Sequence, residues 1–125
     1  MKSILLVEDD PFLIDIFATK FKEAGFKVLV AEDGEEALRK IQEEKPDLLL
    51  LDIVLPHIDG WEMLEKIKNQ NLKGFKIVVL SNLGQKDDIE KGIKLGADRY
   101  LVKAHLTPSE VVREIKTILE NAPLS

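Results

Sequence analysis

Five short apolar runs of strand character alternate with five helix-length amphipathic segments along a chain of 125 residues. Alternation of this regularity demands right-handed crossovers and a mostly parallel sheet with helices on both faces. For five strands the expected arrangement is a flavodoxin-like (βα)5 three-layer sandwich with sheet order 2-1-3-4-5. The run Leu48–Leu51 is apolar without alternation, as a strand covered on both faces should be.

In chain order, the expected strands are Ser3–Val7, Lys27–Ala31, Asp47–Leu51, Lys76–Leu80 and Arg99–Val102. The first helix starts where Asp10 offers a cap and Pro11 takes the first helical position. Asp33 with Glu36, and Asp59 with Glu62, have capping-box spacing with Asp in place of Ser or Thr. Thr107-Pro108-Ser109-Glu110 joins a capping box to an N1 proline. The helix it opens carries Val111, Val112, Ile115, Ile118 and Leu119 on one face. Gly25 and Gly96 sit where helices should end, and Asn121-Ala122-Pro123 is expected to end the last one. No repeat, linker or low-complexity stretch interrupts the chain, which reads as a single domain over 1–125 with its core at about 2–120.

Composition narrows the function. With 45% hydrophobic and 33% charged residues the chain is globular and not disordered. The absence of cysteine removes disulfides, thiolate metal sites and a Cys nucleophile. No apolar run approaches the roughly 20 residues of a membrane span, and no signal-peptide pattern opens the chain, so a cytoplasmic protein without membrane partners is expected. A net charge of −5 argues against sequence-independent nucleic-acid binding, and direct contact with nucleic acid is not expected.

Ligands of open parallel sheets bind at the carboxyl ends of the strands, beside the point where strand order reverses. The first strand delivers Glu8, Asp9 and Asp10 there, the third Asp52, the fourth Ser81 and the fifth Lys103. In the order 2-1-3-4-5 these ends converge in one crevice. Adjacent like charges repel by about 1 kcal/mol per close pair even in water-like surroundings, so the run "EDD" needs a reason. Asp10 has a local one, as helix cap. Glu8, Asp9 and Asp52 are the residues a hard divalent cation would gather, Mg²⁺ above all, since it takes oxygen ligands from one or two carboxylates plus phosphate.

At these residues the sequence resembles a family. "ILLVEDDP", "DLLLLDIVLPHIDGWEML", "VVLSN" and "LGADRYLVK" are similar to the receiver domain of two-component response regulators, the fold of the chemotaxis regulator, from Lys2 to about Glu120. The resemblance implies that Asp52 is the phosphoacceptor, served by a sensor histidine kinase or a histidine phosphotransfer protein. It implies that Asp9 is a direct Mg²⁺ ligand, that Glu8 acts mostly through water, and that the main-chain carbonyl of Val54 is a further ligand. Ser81 resembles the family's hydroxyl switch residue, Tyr100 its switch aromatic and Lys103 its phosphate-pairing lysine. Moving Ser81 would displace the loop Ser81–Lys86, let Tyr100 turn inward, and change the face of the fourth helix, fifth strand and fifth helix. A downstream effector protein or domain would read that face. The implied protein is not an enzyme, catalysing only its own phosphorylation and dephosphorylation.

Two departures from the family pattern stand out. Ala104 follows Lys103 where the family usually has proline, often after a cis bond. Either this bond is trans and the loop differs, or the site tolerates strain, for a cis bond here costs about 2.5–4 kcal/mol. Asn82, larger than the family's usual residue, follows Ser81. Val54 and Leu83, two positions beyond Asp52 and Ser81, offer no polar side chain to orient a hydrolytic water, so a long-lived phosphorylated state is expected. Val54 also stands where an Asp-nucleophile phosphatase needs its second acid. A flavodoxin-like FMN site is excluded by the carboxylates of Glu8, Asp9 and Asp10, which would repel the phosphate. The alternative to a phosphoacceptor is a degenerate receiver, a phosphorylation-independent interaction module.

Outside these motifs, His57 is expected in an exposed turn, His105 in a loop, and Trp61 partly buried near the site. Gly92, inside the fourth helix, costs about 1 kcal/mol relative to Ala. Either a soft switch helix or close packing on the sheet explains it.

Overall fold

The computed structural model describes residues 1–120, so the expected helix end at Asn121-Ala122-Pro123 lies outside the described residues. The strands are β1 (Ser3–Val7), β2 (Lys27–Ala31), β3 (Leu48–Leu51), β4 (Lys76–Ser81) and β5 (Arg99–Val102). The helices are α1 (Pro11–Glu23), α2 (Gly34–Glu44), α3 (Gly60–Asn69), α4 (Lys86–Lys94) and α5 (Pro108–Glu120). All strand pairs are parallel, in the order β2-β1-β3-β4-β5. The flavodoxin-like three-layer sandwich expected from the alternation is therefore the fold.

Two boundaries differ by one residue from expectation. Asp47 precedes β3 but remains tied to its neighbours: its N–H donates to Ser3 O at 2.9 Å and its carboxylate accepts from the Ser3 N–H at 2.8 Å. Ser81 belongs to β4, because it remains in register with Val102.

The pleat divides the core in two. Leu5, Val7, Leu49, Leu51, Ile77 and Val79 face one side of the sheet, together with Ala37 and Ile41 of α2 and Met63, Leu64 and Ile67 of α3. Ile4, Leu6, Leu48, Leu50, Val78 and Leu80 face the other, against Phe17 and Phe21 of α1 and Val111, Ile115 and Leu119 of α5. A one-residue slip of β1 or β3 would exchange these sets and mismatch both layers, so the register is fixed by packing. Because the register is fixed, the residues one step beyond Val7, Leu51 and Val102 are brought to the same edge.

The helix starts behave as their caps require. Asp10 accepts from the Phe12 N–H at 2.9 Å, Asp33 from Glu36 at 2.8 Å and Asp59 from Glu62 at 2.9 Å. At α5 the box closes in both directions, Thr107 N–H to Glu110 at 2.9 Å and Glu110 N–H to Thr107 Oγ1 at 3.1 Å. Gly25 and Gly96 follow α1 and α4 at φ 95° and 115°, a left-handed conformation that glycine adopts without steric cost.

Asp10 therefore has a purely local task that an amide performs equally well. Asp10→Ala is expected to destabilise the protein by about 1 kcal/mol, while Asp10→Asn stays within a few tenths of wild type. Urea denaturation midpoints of the two variants check this.

Candidate functional site

The ladder carries its register past the strand ends. The Glu8 N–H donates to Ala31 O and the Asp52 N–H to Val7 O, both at 3.1 Å. Glu8 and Asp52 are thereby fixed side by side and buried, at 3% and 7% exposure. Ser81 at the end of β4 is wholly buried. Asp9, one residue further on, is exposed.

Lys103 joins these ends. Its Nζ lies 2.7 Å from Glu8 Oε1 and 2.7 Å from Asp52 Oδ2. Glu8 Oε2 accepts from the N–H groups of Asp9 and Asp10, each at 3.2 Å. Asp52 Oδ1 accepts from the Val54 N–H at 3.2 Å, which bends the chain just after the strand. Gly60 then brings α3 close: a Cβ there would stand 2.5 Å from Ile53 Cα and 2.8 Å from the Asp52 carbonyl oxygen. Any side chain at that position would push the loop that follows Asp52.

Charge is unevenly matched here. Burial pushes the Glu8 carboxyl above its usual range, and Lys103 pulls it only part of the way back. Burial works to lower the Lys103 ammonium, but its bonds to Asp52 and Glu8 prevail and hold it above the ordinary lysine value. Carboxylate oxygens of Glu8, Asp9 and Asp52 all lie within 4.8 Å of one another. Three hard oxygen donors face a single ammonium, a donor set that fits a hard divalent cation. Both Glu8 oxygens already accept bonds, whereas Asp9 is exposed at the rim.

The hydroxyl side of the site is tied to an aromatic. Ser81 Oγ accepts from the Leu83 N–H at 3.3 Å, which leaves its proton to donate elsewhere. The Tyr100 hydroxyl donates to the Leu83 carbonyl at 2.5 Å. Its ring is therefore already turned in toward the loop after β4 while Ser81 is bonded to Leu83, whereas the expectation from sequence has it turning in only once Ser81 moves. Burial pushes the Tyr100 phenol up to about 12, helped by the charges of Asp88 and Asp52, with a smaller opposing contribution from Ser81.

The expected site residues are thus brought together: Glu8, Asp9, Asp52 and Lys103 in one cluster, with Ser81 and Tyr100 meeting at Leu83. Val54 follows Asp52 in the same loop and is 61% exposed. The Leu83 side chain packs on the core layer beneath α3. No cis peptide bond occurs among the described residues, so the Lys103–Ala104 bond, left open by the sequence, is trans, and Lys103–His105 forms a single 3-10 turn. His57 is exposed at φ 64° and His105 is exposed in that turn. Trp61 is half-buried, with Lys91 Nζ 4.4 Å from its ring centroid. Three features were not read from the sequence: the Leu83 carbonyl as acceptor for Tyr100, the close approach at Gly60, and the Lys91–Trp61 stack. Of these only Gly60 left a trace, as the glycine of "DG" at the start of α3.

Comparison with known proteins agrees with this geometry. The sequence model of the response regulator receiver domain family matches residues 4–116. The alkaline phosphatase synthesis transcriptional regulatory protein PhoP of Bacillus subtilis is 37% identical over 124 residues, covering 99% of this chain and 51% of that protein. The phosphate regulon transcriptional regulatory protein PhoB of Pseudomonas aeruginosa is 34% identical over 94% of this chain and 52% of that protein. The chain spans about half the length of these curated relatives. Among solved structures, the receiver domain of the Francisella response regulator 1452 superposes with a TM-score of 0.90 at 28% identity, covering 98% of this chain and all of that one. The BeF3-activated receiver domain of Klebsiella pneumoniae RstA gives 0.84 at 30% identity, covering 92% and 96%. No helix among the described residues is long and apolar enough to cross a membrane.

Because Lys103 is the main offset to the burial of Glu8, ahead of the Asp10 N–H, its removal has a predictable sign. The Glu8 carboxyl is expected to titrate above 4.5 in wild type and higher still in Lys103→Met. Its raised value means a contribution to folding stability that is greatest below 4.5 and is lost as pH rises through the folded midpoint. Carboxyl-carbon NMR titration of Glu8 in the two proteins checks this.

Proposed function

The chain belongs to the response regulator receiver domain family, and from that premise we propose that Asp52 is the phosphoacceptor of a Mg²⁺-dependent signalling switch. The observation that carries the reading is the placement of one buried carboxylate, Asp52, against an ammonium that it shares with Glu8. A carboxylate is a weak nucleophile toward phosphorus, so positioning and charge stabilisation must supply most of the rate.

In the proposed reaction an Asp52 oxygen attacks the phosphorus of a phosphohistidine on a histidine kinase or phosphotransfer protein. The P–N bond breaks, the imidazole leaves, and an aspartyl phosphate forms. Lys103 already stands at 2.7 Å from Asp52 Oδ2 and needs only to shift to pair with a phosphoryl oxygen. The Ser81 hydroxyl, whose oxygen accepts from the Leu83 N–H, would donate its proton to another. Asp9 is the proposed direct ligand of Mg²⁺ with Asp52 and the Val54 main-chain carbonyl, while Glu8 acts through water because both its oxygens are taken. When bound, the ion neutralises charge on the transferred group.

Turnover of an outside substrate is not part of this reading, because Val54 stands where a second acid would be needed. A phosphorylation-independent module is disfavoured, since every acid, hydroxyl and ammonium group of the site is present. The proposed output is the surface of α4, β5 and α5, coupled to Ser81 through Leu83 and Tyr100, and read by a downstream effector protein or domain. A cytoplasmic location fits a histidine kinase partner.

Incubation with acetyl phosphate, followed by intact mass measurement, tests the assignment. One phosphoryl adduct is expected, requiring Mg²⁺ and lost in Asp52→Asn. A correctly folded protein that neither takes the adduct nor binds Mg²⁺ would overturn it. With Val54 and Leu83 apolar, the adduct should persist for minutes or longer in Mg²⁺. Loss within seconds without a phosphatase would contradict the proposed shielding from water.

A further inference from the structure

Gly92 lies mid-helix in α4 and is the only buried residue of that helix. Its φ is not in the left-handed region, so no backbone conformation demands a glycine, and alanine is the better helix former. What demands it is space. A Cβ at this position would stand 2.7 Å from Tyr100 Cδ2 and 2.9 Å from Tyr100 Cε2, with Trp61 Cζ3 at 3.8 Å. Contacts under 3.0 Å between such atoms are not tolerated, so either the ring or the helix would have to move.

The neighbouring contacts fix the same point. Lys91, one residue earlier, stacks its ammonium 4.4 Å from the Trp61 ring centroid and clips α4 to α3. The Tyr100 hydroxyl is held by the Leu83 carbonyl, in the loop that also bonds Ser81. Ile93, the next residue outward, is 47% exposed. The helix therefore rests on the sheet through a glycine seated on one aromatic ring.

We infer that Gly92 is the positioning residue for Tyr100: lacking a Cβ, it leaves the space in which the ring lies inward beneath α4 with its hydroxyl on Leu83. The place of α4 and the place of Tyr100 become a single variable. This rests on the proposed role of Tyr100 as a switch residue, and it assigns the determinant of that role to the helix that Tyr100 supports.

The chain has one tyrosine, so 3-fluorotyrosine labelling gives a single ¹⁹F NMR reporter. In wild type the resonance should show a partly buried ring, with a solvent isotope shift smaller than that of the denatured protein. In Gly92→Ala it should move toward the position of the denatured protein and gain that shift. Melting temperature supplies a second measurement, independent of the label. Gly92→Ala should lower it, or prevent folding, when Tyr100 is present. In a Tyr100→Ala background the same substitution should leave it unchanged or raise it. An unmoved resonance in a folded Gly92→Ala, or equal loss of melting temperature in both backgrounds, overturns the inference. The acetyl phosphate adduct is measured in parallel. If neither wild type nor Gly92→Ala takes it, the phosphoacceptor reading fails, while the resonance and melting comparisons still decide the role of Gly92.

Discussion

One ammonium between two buried carboxylates organises this molecule. Lys103 comes from the end of β5, Glu8 from β1 and Asp52 from β3, and the sheet order places them within bonding distance. Breaking such a bridge by removing one partner typically costs 3–5 kcal/mol, because it strands an uncompensated charge. The carboxylates are held at this edge by backbone bonds that extend the ladder beyond β1 and β3, so they cannot separate without unpicking the sheet. The same bridge leaves negative charge at the site only partly matched. A carboxylate paired by one movable ammonium, and only partly compensated, favours a cation or an anionic group that brings its own cation.

Around that bridge lies a second, softer layer. Ser81, Leu83 and Tyr100 are joined by two hydrogen bonds through one residue of the loop after β4, and Tyr100 carries α4 through Gly92. A typical net hydrogen bond contributes 0.5–1.5 kcal/mol. Two such bonds and one aromatic contact are thus weaker than the bridge that they border. The hard part of the site is built into the sheet and the yielding part into a loop and a helix that buries only a glycine. Low local stability is found where elements move in switching.

This division also decides what the sequence makes legible. Glu8, Asp52, Ser81 and Lys103 each end or follow an apolar run, so strand order alone brings them together, and their convergence follows from pattern and topology. The phenol bond to Leu83, the stack of Lys91 on Trp61 and the seat of Gly92 on Tyr100 follow from neither. They join residues 17, 30 and 8 positions apart, at no helical or strand period, and depend on how far a helix stands from a sheet. A glycine inside a helix has two explanations in sequence, softness or close approach, and only the distance between the helix and the ring beneath it separates them. The Lys103–Ala104 bond is similar. Sequence shows that proline is missing, but the 3-10 turn at Lys103–His105 shows how a trans bond delivers the lysine.

The magnitudes show how much of a signal a phosphoryl group would supply to such a structure. Driving a two-state equilibrium from 1:99 to 99:1 requires about 5.5 kcal/mol of differential binding. Charge-assisted hydrogen bonds contribute roughly 1.5–3 kcal/mol each. A phosphoryl group that draws a new bond from Ser81 and takes over the bond Lys103 now gives Asp52 supplies a substantial part of that energy. Both would be made at residues whose present partners are Glu8, Asp52 and Leu83. Ser81 cannot move toward Asp52 without releasing the Leu83 N–H, and Leu83 cannot move without carrying the acceptor of Tyr100. The energy therefore enters at the rigid edge and is spent in the yielding layer, where α4 has little else to hold it.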